Sequence, residues 1–191
     1  MRIIHSMNDW GESGSVAALG TFDGVHIGHA KLIGEAVALA AQFGVPSAAL
    51  TFDRHPLSLI RPEAVPKALT TPEEKREKLA LLGLDALIEH PFTAEFAALS
   101  PEEFFSLLTS SLHPRALVAG FNYTFGRKGA GDAGLLSYLC KENGIVCRII
   151  DPVCVNGRPV SSSRIRSLLL SGSMEEAEAL LGRREDFKNL K

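Results

Sequence analysis

His26 and His29 stand three residues apart around Gly28 in the run Gly20-Thr-Phe-Asp-Gly-Val-His-Ile-Gly-His29. Imidazoles at this spacing can face one anion together, and the glycines let backbone approach it because no Cβ stands in the way. The apolar run Val16 to Leu19 reads as a buried strand; after His29, Leu32, Ile33, Ala36, Val37, Leu39 and Ala40 recur at helical spacing. A helix entered through such a turn points unpaired N–H groups and the positive end of its dipole over the strand end. That is an anion site, most often for phosphate. A second run has the same character. Ser161-Ser-Ser-Arg-Ile-Arg166 opens another helical stretch, where serines offer caps and hydroxyl donors and Arg164 and Arg166 bring charge.

Other fingerprints are missing. The chain has no G-x-G-x-x-G for a dinucleotide and no G-x-x-x-x-G-K-[ST] for a P-loop. The histidine pair lacks a third ligand at zinc spacing, so no metal site is assigned. Two further stretches have ligand-binding character. Asp53-Arg-His-Pro56 follows the apolar run Val45 to Phe52, at the strand end where open α/β sheets bind ligands. The glycine-rich run Gly120 to Asp132 carries Arg127, Lys128 and the aromatics Phe121, Tyr123 and Phe125.

These residues need a scaffold, and the chain supplies one. Residues 57 to 69 read as a loop or flap. Thr71-Pro-Glu-Glu74 and Ser100-Pro-Glu-Glu103 are capping boxes with proline at the first helical position, predicting helices to about Leu82 and Leu108. Further strands are expected at Ala86 to Glu89, Ala116 to Ala119 and Ile145 to Ile150, and a helix ends near Glu142. Val153 to Val160 reads as a hairpin turning on Asn156-Gly157. Ile3-Ile4 starts a short edge segment, and Trp10 to Ser15 is a polar lead-in. Alternation of strands and helices predicts an α/β, Rossmann-like, doubly wound parallel sheet with small C-terminal helices. Residues 1–182 form one domain, and 183–191 a charged tail expected to fray.

Bulk properties narrow the partners. With 191 residues, 46% hydrophobic and 22% charged, the chain suits one domain with a substantial core. A net charge of −2 gives no general drive toward nucleic acid or anionic membranes, so neither is expected as a partner. No signal-peptide h-region or membrane-length apolar run is visible. Cys140, Cys147 and Cys154 read as small apolar residues in a reducing cytoplasm, the expected location.

With these motifs laid out, the sequence resembles the adenylyltransferase module of bacterial FAD synthetases, the bifunctional riboflavin kinase/FMN adenylyltransferases. The likeness covers roughly residues 16 to 182. It rests on Gly20-Thr-Phe-Asp-Gly-Val-His-x-Gly-His29, Thr51-Phe-x-x-His-Pro56, Gly120-Phe-Asn-Tyr-x-Phe-Gly126 with Gly131-Asp132, and Ser161-Ser-Ser-Arg-Ile-Arg166. One departure is visible: Leu181-Gly-Arg183 is followed by Arg184-Glu185 where the family has a Pro-aromatic pair and a kinase barrel. A stand-alone adenylyltransferase, with FMN supplied by a separate riboflavin kinase, is the expectation.

The resemblance implies ATP and FMN as substrates, Mg2+ accompanying ATP, and FAD and pyrophosphate as products. It implies catalytic roles for His26, His29, Ser162 and Arg164. ATP contacts are implied for Gly20, Phe22, Asp23, Gly24, Gly28, His29, Asn122, Ser161, Ser162, Ser163 and Arg166. FMN contacts are implied for His55, Pro56, Phe121, Asn122, Phe125, Arg127 and Asp132. Asp23 also reads as an Asx turn bonding its own loop, and the loop aromatics either stack on the isoalloxazine or plug the core. The alternatives are a same-fold nucleotidylyltransferase with another phosphorylated acceptor, or a non-catalytic flavin or nucleotide sensor.

Overall fold

In the computed structural model, which describes residues 1–184, the apolar runs pair into one sheet. Its strands are β1 (Arg2–Ile4), β2 (Ser15–Leu19), β3 (Ser47–Phe52), β4 (Ala86–His90), β5 (Pro114–Gly120) and, after two minor strands, β8 (Val146–Ile150). They lie in the order β1-β4-β3-β2-β5-β8, every pair parallel. From β2 the chain steps outward through β3 to β4, then returns to the other side of β2 with β5. The reversal between β2 and β5 is the topological switch point, and open sheets bind ligands at the carboxyl ends of strands there. Gly20 and Gly120 sit at those two ends.

Helices cover both faces. α1 (Ile27–Phe43) follows β2, and α2 (Leu57–Ile60) and α3 (Pro72–Leu81) lie between β3 and β4. α4 (Ala94–Ala98) and α5 (Pro101–Leu112) precede β5. The hairpin β6 (Thr124–Phe125) with β7 (Gly131–Asp132) leads into α6 (Ala133–Glu142). After β8 come the hairpin β9 (Cys154–Val155) and β10 (Arg158–Pro159), then α7 (Ser162–Leu170) and α8 (Met174–Leu181). Alternate residues of β2 go to opposite cores, as a twofold side-chain period requires. Val16 and Ala18 pack with Ile33 and Ala36 of α1. Ala17 and Leu19 pack with Leu108 of α5 and Leu136 of α6. A third cluster joins Leu69, Val160, Ile165, Leu169 and Leu180, docking α7 and α8 beside the carboxyl end of the sheet.

The two expected capping boxes form, each with reciprocal bonds: Thr71 with Glu74, and Ser100 with Glu103. The Asn156-Gly157 turn forms with both residues at positive φ, 53° and 69°. Elsewhere tertiary packing moves the boundaries. α5 continues past Leu108 because Leu112 is fully buried, and His113 ends it in the left-handed region. The loop at 57–69 contains α2 and a 3-10 turn at Pro62–Ala64. α4, capped by Thr93, is an additional element. The polar lead-in contributes to the core through Trp10, 1% exposed. Of the expected charged tail, residues 185–191 lie outside the described residues.

Candidate active site

The loop from Gly20 to His26 is held in unusual backbone. Phe22 and Val25 have φ of 51° and 40°, and Gly24 has 81°. Phe22 pins the loop from below: its ring is fully buried and meets His29 edge-on with centroids 5.4 Å apart. Any contact of Phe22 with ATP would therefore be through its backbone. Its side chain is a core plug that supports the loop.

His26 is the N-cap of α1. Its Nδ1 accepts the backbone N–H of His29 at 3.2 Å, which is side-chain capping by an imidazole. A Cβ at Gly28 would come within 3.1 Å of the His26 ring, so only glycine leaves the ring this close to the helix. The two imidazoles stack, centroids 3.7 Å apart and 12° from parallel. Burial is the main cause that lowers the pKa of His26 to about 4. His29 is pushed well below its ordinary value by burial first, then by the nearby charges of His26 and Lys75. Both rings are thus neutral at physiological pH. Because Nδ1 of His26 accepts, its proton sits on Nε2, leaving that nitrogen as a donor. Nδ1 of His29 is buried without a protein partner.

The second helix entrance meets the same loop. Ser161 caps α7, accepting from the N–H of Arg164, and Ser162 Oγ donates to the carbonyl of Asp23 at 2.9 Å. Arg166, one turn on, forms an ion pair with Asp23 and donates from Nε to the Lys67 carbonyl at 2.7 Å. Asp23 also accepts from the N–H of Leu69 at 3.0 Å. Its role is a clasp between distant segments, so the expected Asx turn within its own loop is corrected. Arg164 turns the other way. Its Nη1 donates to the carbonyls of Val155, Arg158 and Pro159, stapling the β9–β10 hairpin. The structure places Arg166, not Arg164, toward the histidine loop.

On the acceptor side, His55 accepts the N–H of Leu57 on Nδ1 at 3.1 Å, and Pro56 leads into α2. Its pKa is lowered by burial first, then by Arg166, with Lys75 also contributing, which puts His55 within the field of the same cationic cluster. Asn122 folds its Oδ1 against Gly120, at the carboxyl end of β5. Phe121 is 46% exposed beside it. Phe125 and Asp132 are engaged within the protein. Phe125 is buried against Phe104, centroids 5.5 Å apart, and Asp132 caps α6 by accepting from the N–H of Leu135 at 2.8 Å. Arg127 is exposed, and its backbone N–H is bonded to the Leu99 carbonyl.

Two cations were not singled out in the sequence. Lys75 of α3 donates from Nζ to the Thr21 carbonyl at 3.2 Å, and burial lowers its pKa. Arg183, just past α8, donates to the carbonyls of Gly24 and Val25. Lys75 lies one turn after a recognisable cap, but its inward direction follows only from how α3 docks. Arg183 stands in the Leu181-Gly-Arg183 run, but nothing in that run signals that its guanidinium reaches Gly24 and Val25.

Among the described residues no group of three or more His, Cys, Asp or Glu is placed to hold a metal ion. The cysteines are free; Ser137 Oγ and Cys147 Sγ lie 3.6 Å apart. Bonding with Cys140 is the first cause lowering the Cys147 pKa to about 7 and raising that of Cys140.

A family model described as FAD synthetase matches residues 9–164. The bifunctional riboflavin kinase/FMN adenylyltransferase of Listeria monocytogenes is 40% identical over 178 residues, covering 92% of this chain and 56% of that protein. A FAD synthetase of the same organism is 33% identical over 169 residues, covering 88% of this chain and 68% of the relative. A putative bifunctional riboflavin kinase/FMN adenylyltransferase of Geobacillus thermodenitrificans is 38% identical, with 88% and 90% covered. Among solved structures, one titled macrolide-efflux protein from Streptococcus pneumoniae superposes with a TM-score of 0.80 at 32% identity, covering 95% of this chain and 59% of that one. The chain spans 56% and 53% of the first two curated relatives.

Proposed function

The chain belongs to the FAD synthetase family, and from that premise we propose that it transfers the adenylyl group of ATP to FMN, giving FAD and pyrophosphate. The observation that carries this reading is the convergence of two helix N-termini on one loop. His26 caps the first, and Ser162 ties the second to Asp23.

The chemistry follows from charge. A phosphate oxygen of FMN attacks the α-phosphorus of ATP, that P–O bond forms, and the bond to the bridging oxygen of pyrophosphate breaks. The FMN phosphate is already ionised near neutral pH, so no strong base is required. The protein's task is alignment and stabilisation of negative charge on the α-phosphate and the leaving group. His26 and His29 donate as neutral imidazoles to ATP phosphate oxygens, and the unpaired N–H groups at the start of α1 add to them. Ser161, Ser162, Ser163 and the entrance of α7 receive the β- and γ-phosphates, with Arg166 as their guanidinium. ATP would be taken as its Mg2+ complex, the cation supplying further charge neutralisation to the triphosphate. Asp23 is already engaged by Arg166 and is not assigned as its ligand.

FMN enters from the side of His55, Pro56, Asn122 and Phe121, with Lys75 adding positive charge near its phosphate. Arg127 is placed at the rim. No helix among the described residues is long and apolar enough to cross a membrane, and the proposed reaction is cytoplasmic, fed by a riboflavin kinase activity. The test is pyrophosphate release from MgATP with FMN, riboflavin, a pantetheine phosphate or nicotinamide mononucleotide as acceptor. Release specific to FMN supports the reading. Release with another acceptor, or with none, overturns it.

A further inference from the structure

Arg183 lies between α8 and the histidine loop. Its Nη1 donates to the Val25 carbonyl at 2.7 Å and to the Leu181 carbonyl at 3.2 Å, while Nη2 donates to the Gly24 carbonyl at 2.6 Å. One planar fork therefore grips two consecutive peptide groups of the loop and the last turn of α8. A guanidinium suits this, because its donors diverge in a fixed plane that a lysine ammonium does not reproduce.

The gripped residues are the ones with unusual backbone. Gly24 has φ of 81° and Val25 has 40°, a region that a β-branched side chain adopts only under constraint. The bond that Val25 makes within the loop is long, its N–H reaching the Phe22 carbonyl at 3.3 Å. The peptides are trans, so holding the two carbonyls on one side turns the N–H groups of Val25 and His26 to the other. The N–H of His26 heads α1, where the proposed phosphate sits. The guanidinium charge is also near enough to His26 to disfavour its protonated form.

The platform under Arg183 is packed and tied to the loop. α7 and α8 share the cluster of Leu169, Ala177, Leu180 and Leu181, and α7 is bonded to Asp23 through Ser162 and Arg166. The loop is thus held from two sides, by α7 at Asp23 and by Arg183 at the next two residues.

We propose that Arg183 is a positioning residue for adenylyl transfer: it fixes the Gly24–Val25 backbone so that the His26 N–H and both imidazoles are aligned before ATP arrives. The inference rests on the reading of this loop as the ATP phosphate site. Arg183 itself touches no substrate.

The experiment compares wild type, Arg183→Ala and Arg183→Lys in FAD formation from MgATP and FMN, with hydrogen exchange at the Val25 and His26 amides measured without substrate. Arg183→Ala is expected to lower kcat about 10- to 100-fold, the scale of a small misplacement in the site, while KM for FMN is unchanged. Guanidinium ion added to Arg183→Ala restores part of the rate, and exchange at both amides quickens. Arg183→Lys falls between. A merely structural role would not produce rescue or leave KM for FMN fixed. If Arg183→Ala does not fold, Arg183→Lys against wild type carries the same comparison. Wild-type kinetics in a folded variant, or unchanged exchange at both amides, overturns the proposal. If wild type makes no FAD, the functional reading fails by itself, and the exchange result alone decides whether Arg183 holds the loop.

Discussion

His26 Nδ1 accepts the backbone N–H of His29 while the two rings stack 3.7 Å apart, so one imidazole both caps the helix and supports its neighbour. The pair is therefore a single unit. A proton added to Nδ1 of His26 breaks the cap and places a charge against His29.

This sets a pH dependence with a definite sign. The folded His26 has a pKa of about 4 against 6.5 in the unfolded chain, and His29 is shifted the same way. Between these values the unfolded state binds more protons, so the stability contribution is full above 6.5 and is lost as pH falls through that window. At about 1.4 kcal/mol per pKa unit, His26 alone accounts for roughly 3 kcal/mol. Denaturant midpoints measured from pH 7.5 downward should fall through this window in wild type, and less in His26→Asn. Ring titrations near 6.5 by NMR would contradict the account.

Asp23 and Arg166 make a second expectation. Asp23→Ala leaves Arg166 without its carboxylate and the Leu69 N–H without an acceptor, both in a nearly dry setting. A loss of about 3 kcal/mol is expected, readable as a lower Tm. Arg164→Ala should instead loosen the β9–β10 hairpin and leave the KM for ATP close to wild type, whereas Arg166→Ala should raise it. Equal effects of the two arginines on ATP would refute the assignment.

Gly126 tests the geometry of the second loop. It has φ of 71°, and an added Cβ would lie 2.7 Å from the backbone nitrogen of Pro101. Backbone cannot swing aside as a side chain can. Gly126→Ala should cost about 2–4 kcal/mol by thermal denaturation, and a Tm equal to wild type would count against the packing of this loop on α5.

The features legible in the sequence were local ones. Thr71 with Glu74, Ser100 with Glu103, and Asn156-Gly157 each carry their structure within a few residues, and the alternation of elements implies the parallel sheet. The His26–Gly28–His29 constellation is local too. Contacts that join distant segments had no such signature. Arg166 meets Asp23 across 143 positions, and Arg183 meets Val25 across 158. For the same reason two arginines in one motif, Arg164 and Arg166, were distinguished only by the faces of α7 that they occupy. Phe22 and Phe125 sit in motif loops yet serve the core, because a glycine-rich loop needs an apolar anchor beneath it.

The most direct test is chromatographic detection of FAD after incubating the purified protein with MgATP and FMN, alongside folded His29→Ala. The account predicts FAD and pyrophosphate in equal amounts from wild type, and a rate about 10²–10³-fold lower in the variant, the scale of losing one donor to developing charge. No FAD from wild type, or equal rates from both proteins, would contradict it.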